Sequence, residues 1–178
     1  MDQSQPKTPL ALIPPLRFST IHPNIHRGSY PRKENYRFLR RYKIKTIISL
    51  TPNPITRDTD APLLEFLQKE NIKLIHIEVG KGGKGKKRRV PLTHDMVIGV
   101  IEAMIDANNG PVYMHCLNGC HVTSLVVACF RCLLMWTKAS IFSEFISYSD
   151  TINVADRTFV DSFEGGELLN NQYFDRLQ

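Results

Sequence analysis

Long apolar runs are absent from this chain of 178 residues. Nothing in it approaches the roughly 20 consecutive apolar residues of a membrane-spanning helix, so no membrane association is expected. Cysteine is scarce, and its placement does not suit a disulfide framework: Cys116, Cys120, Cys129 and Cys132 all fall within seventeen positions. That crowding points to a reducing compartment and a cytoplasmic protein. The opening residues Met1 to Lys7 lack an apolar core and include an acid, so neither a secretory signal nor a transit peptide is expected there. Carboxylates are missing altogether between Glu78 and Asp95. A carboxylic-acid proton donor for catalysis therefore cannot come from that segment.

What the chain does carry is positive charge, 23 Lys and Arg against 17 Asp and Glu. Six of these cations sit in one Gly-rich run: Lys81, Lys84, Lys86, Lys87, Arg88 and Arg89. Such a run attracts polyanions, and Lys84, Lys86, Lys87, Arg88 and Arg89 are candidate anion contacts; a solvated loop is the plain alternative. A nucleic-acid partner is not expected. The hydrophobic content, 42%, fits a globular protein large enough to bury a proper core.

Residues 1–13 read as a flexible Pro-rich tail and 14–178 as a single domain. Phe18–Ile21 and Asn24–Arg27 suggest an opening hairpin. A helix follows over about Glu34–Tyr42, with Tyr36, Phe38 and Leu39 as candidate core contacts. The β-branched run Ile44–Leu50 is a buried strand. Asp60-Ala61-Pro62 opens a second helix, and Ile72–Val79 alternates as a strand. Thr93 caps a helix to about Asn108, and Pro111–His115 is another buried strand. Thr123–Trp136 is almost wholly apolar and reads as a central helix, followed by helices over Ala139–Tyr148 and from Asp156. Strands alternating with helices predict an α/β sandwich with a mostly parallel central sheet flanked by helices.

The chemistry concentrates in His115-Cys116-Leu117-Asn118-Gly119-Cys120-His121-Val122-Thr123-Ser124. An apolar strand, a cysteine, a turn containing glycine and then a buried helix form the frame of a cysteine-phosphatase loop. In such a loop the thiolate attacks phosphorus, and backbone N–H groups at the helix N-terminus hold the phosphate oxygens. Cys116 is the candidate nucleophile, and the phosphate-binding stretch is Leu117, Asn118, Gly119, Cys120, His121, Val122 and Thr123. An arginine six places after the cysteine should grip two oxygens in a bidentate fork, and Val122 stands there instead. His115 reads as a buried hydrogen-bonding residue. Thr123 could bond the thiolate or cap the helix. Asp95 is a weak candidate for the general acid, since at a helix start it more often complements the dipole. A zinc site built from the cysteines and histidines is disfavoured, because Cys129 and Cys132 lie within the apolar helix and read as core. A reversible Cys116–Cys120 disulfide is conceivable on spacing alone. No metal and no cofactor are expected.

Together these motifs resemble those of the plant and fungal atypical dual-specificity phosphatases, in particular the fungal proteins named for oxidant-induced cell-cycle arrest. The resemblance is carried by Pro14-Pro15-Leu16-Arg17-Phe18, by Ile25-His26-Arg27-Gly28-Ser29-Tyr30-Pro31 and by Glu34-Asn35-Tyr36-Arg37-Phe38-Leu39. The cysteine loop, Arg131 to Trp136, Ile141 to Phe145 and Asp156 to Phe159 continue it in register. It implies the small cysteine-phosphatase α/β sandwich and, for active members, hydrolysis of inositol pyrophosphates or phosphoprotein substrates. It maps the nucleophile onto Cys116 and the phosphate arginine onto Val122. It also implies basic residues where Asn118, Cys120, Thr151 and Asn153 stand. Arg131, more than two turns along the helix, reads as structural.

The expectation is therefore a pseudophosphatase acting as scaffold or regulator in a hetero-complex with related family members, with an inositol polyphosphate or pyrophosphate as ligand. The alternative is a weakly active phosphatase working through a Cys116 phosphoenzyme on inositol pyrophosphate or phosphotyrosine protein.

Overall fold

The computed structural model describes residues 11–80, 89–166 and 168. The N-terminal residues up to 10 and the basic run from 81 to 88 lie outside the described residues.

Among the described residues, five strands form one sheet: β1 (Ser19–His22), β2 (Ile25–Ser29), β3 (Thr46–Thr51), β4 (Lys73–Glu78) and β5 (Val112–Cys116), in the order β1-β2-β5-β3-β4. The β1–β2 hairpin is antiparallel, and the β2–β5, β5–β3 and β3–β4 pairings are parallel. Central β5 and β3 are buried along their whole length, as the inner strands of a sheet covered on both faces are.

Six α-helices of the described residues cover the sheet: α1 (Tyr36–Arg41), α2 (Arg57–Lys69), α3 (His94–Ile105), α4 (His121–Leu133), α5 (Lys138–Ser149) and α6 (Val154–Asp161). Two cores result. One packs α3 and α4 with Phe145, Val160 and Phe163 around Ile48, Leu50, Val112 and Met114. The other places Leu39, Leu63, Phe66 and Leu67 against Ile47 and Tyr113. α4 runs through the first core, with ten of its thirteen residues buried, which is why its sequence shows hardly any polar face.

Helix starts depart from expectation where caps compete. α2 begins at Arg57 because Thr56 and Thr59 form a capping box; Asp60 then breaks the helical dihedrals, and its carboxylate accepts from Leu63 N–H. α6 begins at Val154, since Asn153 is the cap and Asp156 returns the capping bond from the third position. α3 stops at Ile105, where Asp106 turns extended. Thr93 and Thr137 cap α3 and α5.

Candidate functional site

The parallel register sets Ser29 beside Cys116, so β2 and β5 end together at the head of the sheet. There the chain leaves β5 through Leu117, Asn118, Gly119 and Cys120 and enters α4 at His121. Cys116 is buried and unbridged, as is the rest of the loop's approach strand; no cysteine forms a disulfide. Gly119 has φ 69°, and a Cβ there would sit 2.6 Å from the Gly28 carbonyl carbon. Only glycine permits this turn and this contact with β2.

The loop backbone is polarised. All four of its carbonyls accept hydrogen bonds: Leu117 O from Tyr30 N (3.2 Å), Asn118 O from Arg17 Nη1 (3.4 Å), Gly119 O from Arg27 Nη2 (2.8 Å) and Cys120 O from Ser124 N (2.9 Å). The N–H groups of Leu117, Asn118, Gly119 and Cys120 donate to no acceptor among the described residues. Four unpaired donors beside the N-terminus of a thirteen-residue helix make a receptor for an oxyanion.

Side chains around this receptor are mostly neutral. Val122 is half-buried and packs against the main core, and Leu117 is 58% exposed. Cys120 is half-buried, and burial is the main influence pushing its thiol above the ordinary range. His121 Nε2 bonds the fully buried Asp156 carboxylate at 2.6 Å, tying the loop to α6. Thr123 Oγ1 is buried without a partner, so it neither caps the helix nor bonds Cys116.

His115 is fully buried, with Nδ1 3.3 Å from Cys116 O and edge-on contact to Tyr30. Burial lowers its pKa to about 4, so the imidazole is neutral and serves no acid–base role at neutral pH. This depression has a pH signature. Above the unfolded value of about 6.5, neither state binds a proton here and the full stability is present. Between 6.5 and 4 the unfolded chain takes up the proton first, and stability falls by up to about 3 kcal/mol. Denaturant titrations at pH 7, 5.5 and 4.5 should show a shallower decline in His115→Gln than in the parent chain.

Asp95 is exposed in the first turn of α3 and lines a groove with Arg89, Val90, His94, Thr158 and Phe159. Lys84, Lys86, Lys87 and Arg88 lie outside the described residues. Arg131 is structural: it donates to Ile21 O, pairs with both Glu144 oxygens and stacks on Trp136. No group of three or more metal-ligating side chains occurs among the described residues.

Two functional contacts escape a reading of the sequence alone. Arg27 and Arg17 reach the loop from 92 and 101 positions away. Arg27 is 0% exposed, its guanidinium carbon 3.9 Å above the Tyr148 ring, with Nη2 shared between Gly119 O and Ser124 Oγ. Burial lowers its pKa to about 10, which still leaves it charged at neutral pH. The available signal was an arginine followed by glycine inside an otherwise buried strand.

A mostly parallel sheet whose central strand ends in cysteine, followed by an anion-receptive turn into a buried helix, is the frame of the cysteine-dependent phosphatase fold class. The sequence profile described as "Tyrosine phosphatase family" matches residues 12–175, and the chain belongs to that family. It is 42% identical over 163 residues to the "Putative tyrosine-protein phosphatase OCA6" of Saccharomyces cerevisiae, covering 86% of this chain and 72% of that one. It is 34% identical to the inositol diphosphatase DSP3 of Arabidopsis thaliana, covering 75% of this chain but only 63% of the relative's length. The crystal structure of the core catalytic domain of the PP-IP phosphatase SIW14 from S. cerevisiae superposes with a TM-score of 0.79 at 26% identity, covering 90% of this chain and 93% of that one. The expected family and fold are borne out. No described helix is long and apolar enough to cross a membrane.

Proposed function

We propose that this protein is a pseudophosphatase: its loop binds a phosphorylated ligand without turning it over, and it acts as a scaffold or regulator alongside related family members. The observation that carries the reading is the combination at the loop. Among the described residues four backbone donors are free and their carbonyls are held, yet half-buried Val122 packs against the core at the position where an arginine should clamp the transferred phosphoryl group. Ligand binding needs the donors, whereas rapid transfer needs the clamp. Relatives named as inositol diphosphatases make an inositol polyphosphate or pyrophosphate the favoured ligand class. The retained Cys116 favours a second reading, slow hydrolysis through a phosphoenzyme, in which a cation from outside the loop would have to serve.

Calorimetric titration with inositol hexakisphosphate tests the binding half. The expected result is saturable binding that inorganic tungstate, a tetrahedral dianion suited to the loop, displaces. Absence of binding, or binding insensitive to tungstate, would remove the loop as the ligand site.

A further inference from the structure

Arg27 presents a problem in electrostatics. It is wholly buried, and no carboxylate lies within salt-bridge distance of it among the described residues. Glu144, whose charge it feels, is already engaged by Arg131. Its Nε and Nη1 have no hydrogen-bond partner among the described residues. A buried cation without a counter-ion is costly, and an anion bound nearby would offset part of that cost. Apart from Glu144, the acidic groups whose field reaches it are Tyr148 and the two loop thiols, Cys116 and Cys120.

We infer that Arg27 is the positioning residue of this site, holding the loop open as an oxyanion receptor and supplying from beneath the positive charge that Asn118, Cys120 and Val122 do not. The assignment deepens the pseudophosphatase reading and rests on it. Nη2 turns the Gly119 carbonyl toward β2 and simultaneously anchors Ser124 on α4. Arg17 does the same for the preceding carbonyl of Asn118 from the outer side, its Nε fixed on Tyr148 O at 3.0 Å. With successive carbonyls pinned outward, the loop N–H groups stay unpaired without a ligand in place. The Tyr148 ring covers the guanidinium and keeps water from screening its charge. The ligand class follows: a tetrahedral oxyanion small enough to enter the turn, such as a terminal phosphoryl group.

The test is phosphate-dependent thermal stabilisation at constant ionic strength, with chloride as control. The parent should gain stability with inorganic phosphate. Arg27→Met should lower the baseline and weaken phosphate binding about ten-fold or more, while Arg27→Lys, which keeps the charge, should stay within about three-fold of the parent. A merely structural role would lower the baseline in both variants and leave the phosphate increment intact, which would overturn the assignment. Should Arg27→Met not fold, Tyr148→Leu exposes the guanidinium to water with its loop bonds retained. Weaker phosphate binding there supports the assignment, and unchanged binding overturns it. A parent that gains nothing from phosphate would instead remove the anion site, and with it the reading on which the assignment stands.

Discussion

Replacing Val122 by arginine is expected to raise Cys116-dependent phosphate release from an inositol pyrophosphate by about 10³-fold or more. An arginine on a transferring phosphoryl group contributes roughly 10³–10⁵ in rate in comparable systems. The frame for it is already present. Val122 sits in the first turn of α4, two residues after the last of the free loop donors, and it is only half-buried. Leaving-group protonation matters less for a pyrophosphate than for an alkyl ester, because a phosphate oxygen is a weak base and leaves with little protonation. Inorganic phosphate release should be followed in Val122→Arg beside Val122→Arg/Cys116→Ser. Equal rates in the two would mean that the loop cannot direct the thiolate onto phosphorus, and that the silencing is not chiefly at one position.

The second large effect concerns stability. Glu144→Ala should cost about 3 kcal/mol or somewhat more, since removing one partner of a buried ion pair leaves the other charge uncompensated. The Arg131 side chain is 8% exposed and joins α4 to α5 through Glu144 and to β1 through Ile21 O. In a chain of this size that loss corresponds to a fall in melting temperature of roughly 6–12 °C. The double variant Arg131→Met/Glu144→Leu should recover much of it, because an apolar pair of similar volume carries no stranded charge. A fall in Glu144→Ala of under about 1 kcal/mol would mean that water already reaches the pair.

The sequence made some parts of this molecule plain and concealed others for physical reasons. β3, β5 and α4 were readable because a strand or helix buried on all sides is mostly apolar, with only a few polar residues such as Ser49, His115 and Arg131 inside. The cysteine loop was readable because its parts are contiguous. The start of α2 was not, because Pro62 looks like a first-turn proline, while Thr56 and Thr59 cap an extra turn before Asp60 breaks the helix. Asn153 displaced Asp156 as the cap of α6, and Asp156 went to the third position, from which its other oxygen reaches His121. Arg27 and Arg17 could not be placed at the loop, since their contacts are made by strand pairing and by a turn far away in the chain. Within the fragment from Ile25 to Pro31, nothing local distinguishes a buried cation under the loop from one facing water.

The central claim is binding without turnover. Its most direct test is to incubate the purified chain with a 5-diphosphoinositol phosphate and measure inorganic phosphate, beside Cys116→Ser. The account predicts no release above that of Cys116→Ser, in a protein that still binds the ligand. Release that Cys116→Ser abolishes would contradict it and make the protein an enzyme whose phosphoryl clamp lies outside the loop.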